Sequence, residues 1–140
     1  MSLYQANKMG EEKLNFIIID DSKLDCFIAE KIIRNTGRGG DIRSFTAASD
    51  ALAYVTGNTS ESGPRTVIIV DIQMPIMNGF DFVEAFEKLP EATRARYIIY
   101  MLSSSINEND INRVQNYPSI KQFLNKPLTS NMLNAILGVL

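Results

Sequence analysis

Apolar residues along this chain fall into short continuous runs that alternate with stretches of helical spacing. Five runs read as strands: Asn15–Ile19, Asp41–Phe45, Thr66–Val70, Tyr97–Leu102 and Ile120–Leu124. The first, third and fourth are rich in Ile and Val and nearly uninterrupted, as parallel strands buried on both faces should be. Asp41–Phe45 is shorter and mixed, which suits an edge. Five helical segments lie between and after the strands. Ser22 can cap a first helix carrying Leu24, Phe27, Ile28, Ile32 and Ile33, with Gly37 as its stop. A second spans about 47–56 before Gly57, a third about 79–88 before Pro90, a fourth about 108–116 before Pro118, and a fifth about 129–140. Gly57–Arg65 reads as an exposed loop. This alternation predicts an α/β sandwich around a parallel sheet with right-handed crossovers.

The last helix has apolar residues on two sides. Leu133, Ile136, Leu137 and Leu140 follow i, i+3, i+4, i+7 and are expected to face the sheet. Met132, Ala135 and Val139 fall on nearly the opposite side, a candidate partner face. Phe82 and Phe86, four apart, read as core. Residues 1–13 are polar and aperiodic and are expected to be disordered or left over from expression, with one folded domain at 14–140.

Composition narrows the function. With 45% hydrophobic and 21% charged residues the chain is ordinary for a globular domain. A net charge of −2 and no block of Lys or Arg argue against nucleic-acid binding by this chain. No apolar stretch reaches the length of a membrane span, so a cytoplasmic domain is expected. Cys26 is the single cysteine, which excludes an intrachain disulfide and is expected to serve packing. The absence of histidine removes imidazole bases, zinc sites of the usual type and any phosphohistidine role for this chain. Arg94 and Arg96 read as solvated surface.

The chemistry-bearing residues sit where strands end. Asp20 and Asp21 close the first strand, Asp71 the third, Ser103 the fourth, and Lys126 the fifth. Singly, each has a bland explanation as a cap, a loop hydroxyl or a turn. Together they would meet in the crevice beyond the carboxyl ends of a parallel sheet, where such folds bind ligands. Three carboxylates and one ammonium leave excess negative charge there, which a divalent cation would neutralise. Mg²⁺ prefers oxygen ligands and commonly takes one or two carboxylates with a phosphate oxygen. Asp71 could then act as a carboxylate nucleophile, with Lys126 and Ser103 stabilising the phosphoryl oxygens.

The segments Phe16–Ser22, Val70–Gly79, Met101–Ser104 and Phe123–Pro127 resemble the response-regulator receiver domains of two-component phosphorelays, chemotaxis-regulator-like in type. The run from Asp71 through Met74-Pro75 to Asn78-Gly79 carries most of that resemblance. It implies a flavodoxin-like three-layer sandwich, a doubly wound five-stranded parallel sheet in the order 2-1-3-4-5. It implies Asp71 as phosphoacceptor, Asp21 as a direct Mg²⁺ ligand, Asp20 as a largely water-mediated one, and the Gln73 backbone carbonyl completing the set. Ser103 takes the switch-hydroxyl position and Phe123 the switch-aromatic position, where a plain core role is an equal alternative. A cis Lys126–Pro127 peptide is implied as well.

By the same resemblance the domain is a switch and not a turnover enzyme, catalysing only its own phosphorylation and dephosphorylation. Its expected partners are a sensor histidine kinase or a histidine phosphotransfer protein, an unknown downstream protein, and a second copy in a weak homodimer. The alternative is a phosphorylation-independent interaction module, which typically lacks one of the acidic or lysine residues all present here. A flavin-binding protein is disfavoured because Asp-Asp-Ser-Lys-Leu-Asp after the first strand repels phosphate. A dehalogenase-type phosphatase is disfavoured because Gln73 stands where its second aspartate belongs.

Overall fold

The computed structural model describes residues 13–58, 62–105 and 107–140. Its strands are β1 (Leu14–Ile19), β2 (Gly39–Phe45), β3 (Thr66–Asp71), β4 (Tyr97–Ser103) and β5 (Ile120–Asn125). Its helices are α1 (Lys23–Asn35), α2 (Ala48–Gly57), α3 (Gly79–Phe86), α4 (Glu91–Arg94), α5 (Glu108–Val114) and α6 (Ser130–Leu137). All strand pairings are parallel, in the order β2-β1-β3-β4-β5. The expected doubly wound sheet is therefore present, and β2 lies at an edge.

Two apolar clusters, one on each face, make the core. Ile17, Ile19, Ile68, Val70, Ile99 and Met101 pack with the buried faces of α2 and α3, including Phe82 and Phe86. Phe16, Ile18, Val67, Ile69, Tyr100 and Leu102 pack with α1 and α6. Alternate side chains of each strand thus serve opposite clusters, which is why β1, β3 and β4 need apolar residues at every position.

The first helix buries small residues on its sheet side, Cys26 in packing as expected. Its buried residues are Cys26, Ala29 and Ile33, while Leu24, Phe27 and Ile28 are 65%, 57% and 42% exposed. The helix turns a face headed by the small residues Cys26 and Ala29 to the sheet, which leaves the bulkier side chains outside. On α6, Leu133, Ile136 and Leu137 are buried as expected; the helix ends at Leu137, and Val139 beyond it is exposed. Met132, expected on the water side, instead packs partly buried against the second cluster. The apolar arc of α6 is thus wider than one stripe, and of the outward set Ala135 alone stays exposed on the helix, with Val139 beyond its end.

The short α4 was not legible in the sequence, since four residues carry no periodicity. Arg94 and Arg96 are not simply solvated. Arg94 Nε donates to the Leu89 carbonyl at 2.9 Å, and Arg96 Nη2 donates to the carbonyls of Ser62, Gly63 and Pro64. Apart from Lys13, the N-terminal segment expected to be disordered lies outside the described residues. Among the described residues no helix is long and apolar enough to cross a membrane.

Candidate functional site

Strand register assembles the site. Ile19 pairs with Val70, so Asp20 and Asp71, the next residue of each chain segment, emerge side by side. Asp71 pairs with Leu102, and Ser103 with Asn125, which brings the end of β5 to the same rim. The Lys126 N–H donates to the Ser103 carbonyl at 2.9 Å, and the Lys126–Pro127 peptide is cis.

Local bonds fix each acidic residue. Asp20 Oδ1 accepts the Ser22 N–H at 2.9 Å, and Ser22 caps α1 by accepting the Asp25 N–H at 3.2 Å. The Cys26 thiol donates to the Asp20 carbonyl at 3.3 Å, so the cysteine packs beneath the site. Asp71 Oδ1 accepts the Gln73 N–H at 3.2 Å. Beyond Gln73 the chain turns into α3, whose capping box joins Asn78 and Asp81. Gly79 sits where a Cβ would fall 2.7 Å from the Asp71 carbonyl oxygen, so only glycine lets α3 begin this close to β3.

Asp20, Asp21 and Asp71 each offer a carboxylate oxygen within 4.8 Å of the others'. An all-oxygen, acidic donor set of this kind fits a hard divalent cation such as Mg²⁺. Asp20 and Asp71 are buried while Asp21 is exposed, leaving a solvent side from which an ion can enter.

Lys126 reaches into this cluster. Its Nζ lies 2.7 Å from Asp20 Oδ2, 3.0 Å from Asp25 Oδ2 and 3.4 Å from Asp71 Oδ2. Burial pulls its ammonium down, but hydrogen bonds to Asp20 and Asp25 and the charges of Asp20 and Asp71 outweigh it. The group is held above the usual lysine range. Burial pushes the Asp71 carboxyl up from its ordinary value, against the pull of Lys126 and the Gln73 N–H; the Asp20 charge pushes it further up.

Ser103 is fully buried, and its hydroxyl bonds to the backbone of Ser105. Phe123 is half-buried on β5 and packs against the cluster shared with α2 and α3. The structure therefore gathers Asp20, Asp21, Asp71 and Lys126 directly, with Gln73 bonded to Asp71, whereas Ser103 bonds within its own loop. Asp25 was missed by a reading that followed strand ends only. Its signal was its place in the first turn of α1, five residues after Asp20, where an acid is ordinarily taken as a helix-dipole partner.

Known proteins resemble this chain in sequence and fold. The family model described as response regulator receiver domain matches residues 16–137. Two-component response regulator 24 of Arabidopsis thaliana is 26% identical over 130 residues, covering 92% of this chain and 85% of that protein. A response regulator receiver protein from Dyadobacter fermentans is 39% identical with a TM-score of 0.81, covering 89% of this chain and 94% of that one. A two-component response regulator from Cytophaga hutchinsonii is 28% identical with a TM-score of 0.80, over 89% of this chain and 94% of that one. On these matches and this architecture, the chain belongs to the response regulator receiver domains, the phosphoacceptor modules of two-component signalling.

Proposed function

We propose that Asp71 accepts a phosphoryl group from a phosphohistidine on a sensor histidine kinase or histidine phosphotransfer protein, and that this switches a protein-interaction surface. The observation that carries the reading is the convergence of Asp71 with Asp20, Asp21 and Lys126 at one end of the sheet. The side chains of Asp20, Asp21 and Asp71 and the Gln73 backbone carbonyl would hold Mg²⁺. When bound, Mg²⁺ supplies positive charge that offsets the carboxylates and the phosphoryl oxygens.

An Asp71 carboxylate oxygen forms the new O–P bond as the N–P bond of the donor breaks. The electron pair leaves on the imidazole nitrogen, which is protonated from solvent. Lys126 donates to a phosphoryl oxygen, and Ser103 does so after leaving Ser105; both act by positioning and charge. Attack of water on phosphorus later breaks the O–P bond, releasing inorganic phosphate and restoring the carboxylate. Gln73 and Ser105 flank the site and tune how long the phosphoryl group survives. The domain changes only its own state and has no separate substrate to turn over. It works in the cytoplasm, and its output face includes α5, Phe123 and the outer side of α6, which passes the signal to a downstream protein or a second copy.

The experiment is incubation with Mg²⁺ and acetyl phosphate, followed by detection of acid-labile phosphate and mapping of the modified peptide. Labelling at Asp71, lost in Asp71→Asn and strongly reduced without Mg²⁺, is the expected result. Persistent labelling of Asp71→Asn would identify another acceptor and refute the assignment.

A further inference from the structure

Asp25 lies outside the carboxylate trio, yet it is bonded to the lysine that serves it. A lysine ammonium has three N–H donors, and Lys126 places three carboxylate oxygens around them, from Asp20, Asp25 and Asp71. Two of those carboxylates, Asp20 and Asp71, also belong to the trio that fits a divalent cation. A cation arriving there competes with the ammonium for the same oxygens. Asp25 stands apart from that competition. It sits on α1, its side chain is 42% exposed against 5% for Asp20 and 7% for Asp71, and it meets a lysine 101 residues away in sequence.

The alternative surroundings of the ammonium are unfavourable. Lys126 and Asp25 both line a cavity of about 260 Å³ whose other walls include Ile18, Ile28, Leu102 and Leu128. An ammonium released from Asp20 with no other counter-ion would lie against this apolar wall or leave the site. Asp25 gives it a partner that a metal held by Asp20, Asp21 and Asp71 does not claim.

We propose that Asp25 is a positioning residue for Lys126, retaining its ammonium at the site when a divalent cation takes the oxygens of Asp20 and Asp71. The other N–H donors of Lys126 then remain directed at the group carried by Asp71. This deepens the phosphoacceptor reading and rests on it. The proposal separates Asp25 from a generic acidic residue, because its effect on the metal must pass through Lys126.

A double-mutant cycle read by Mg²⁺ calorimetry tests this without any phosphate. The proteins are the native chain, Asp25→Ala, Lys126→Met and the double variant, each shown folded by circular dichroism. Asp25→Ala is expected to weaken Mg²⁺ binding by about five-fold in the native chain, and by less than about two-fold once Lys126 is methionine. Asp25→Glu, which keeps the charge on a longer arm, is expected to recover part of the affinity. An equal loss in both backgrounds, or no loss in either, overturns the proposal. Failure of the phosphoacceptor reading is seen separately, as absence of acetyl phosphate labelling at Asp71 in a native chain that binds Mg²⁺ with the expected coupling.

Discussion

Ser103 and Ser105 close a small ring: the Ser103 hydroxyl donates to the Ser105 carbonyl at 3.2 Å and accepts the Ser105 N–H at 3.1 Å. A buried hydroxyl is thereby engaged within its own loop. To donate to a phosphoryl oxygen on Asp71, its single O–H must leave the Ser105 carbonyl, at a cost of about 1 kcal/mol. Ser103→Ala is therefore expected to leave Mg²⁺ affinity unchanged while weakening fluoroberyllate, an acyl-phosphate mimic, by about ten-fold or 1.4 kcal/mol. Titration of the mimic at saturating Mg²⁺ checks this, and equal affinity in the variant would remove Ser103 from the phosphoryl site.

The buried carboxylate of Asp71 makes stability depend on pH and on metal. Its folded-state value is raised, with burial as the leading cause. The native state therefore holds the proton more tightly than the unfolded chain does. That contribution is fully present below the ordinary carboxylate value and is lost as pH rises through the raised one. Asp71→Asn removes a buried charge whose folded-state carboxyl is raised, and should increase the metal-free stability at neutral pH. It should also flatten the stability profile across the mildly acidic range. Urea unfolding between the two limits measures both, and a less stable Asp71→Asn protein would show that Lys126 more than compensates the burial of Asp71.

Most of the architecture was written in the chain, because the Ile and Val runs of β1, β3 and β4 are unambiguous and the polar residues at their ends are few. The edge strand β2 begins at Gly39, earlier than its side chains suggest, since an edge is set by backbone pairing with β1 more than by burial. The orientation of α1 was not legible: five large apolar residues are spread along it without marking one face, and it is Cys26, Ala29 and Ile33 that are buried while Leu24 and Phe27 are exposed. Asp20, Asp21, Asp71 and Lys126 could be placed from strand ends alone. Asp25 could not, because its contact with Lys126 depends on the direction in which a lysine leaves a loop, which no periodicity encodes.

Gly79 fixes how closely α3 approaches the site. A Cβ there would fall 2.7 Å from the Asp71 carbonyl oxygen, 2.9 Å from the Ile72 Cα and 3.1 Å from the Met101 side chain. The first two contacts are with backbone and cannot be relieved by a rotamer change. Gly79→Ala should destabilise the protein by about 1–3 kcal/mol, as overpacking does. It should also shift the backbone of Asp71 and lower Mg²⁺ affinity. Urea unfolding and calorimetry together check this; unchanged stability would mean that α3 moves freely against β3.

The helix after the Ser103 loop is held differently from the rest of the fold. None of the residues of α5 is buried. The end of α5 and the turn after it are tied to α3 at the surface, where Arg113 Nη2 meets Glu84 Oε1 at 3.4 Å and the Tyr117 hydroxyl donates to the same carboxylate oxygen. The Arg113 guanidinium also lies 4.3 Å from the centre of the Phe80 ring, and the Ser119 N–H donates to Glu87 at 2.9 Å. The Tyr117 hydrogen bond, ahead of Arg113, holds the Glu84 carboxyl below its ordinary value. Exposed pairs contribute little to global stability, but here they restrain a segment with little apolar anchoring. Tyr117→Phe combined with Glu84→Gln should therefore leave the urea midpoint nearly unchanged while selectively speeding amide exchange across 108–114. Hydrogen exchange with peptide resolution checks the claim. A uniform change across the sheet would mean that the ties support the whole fold, and unchanged exchange in α5 would mean that they do not restrain it.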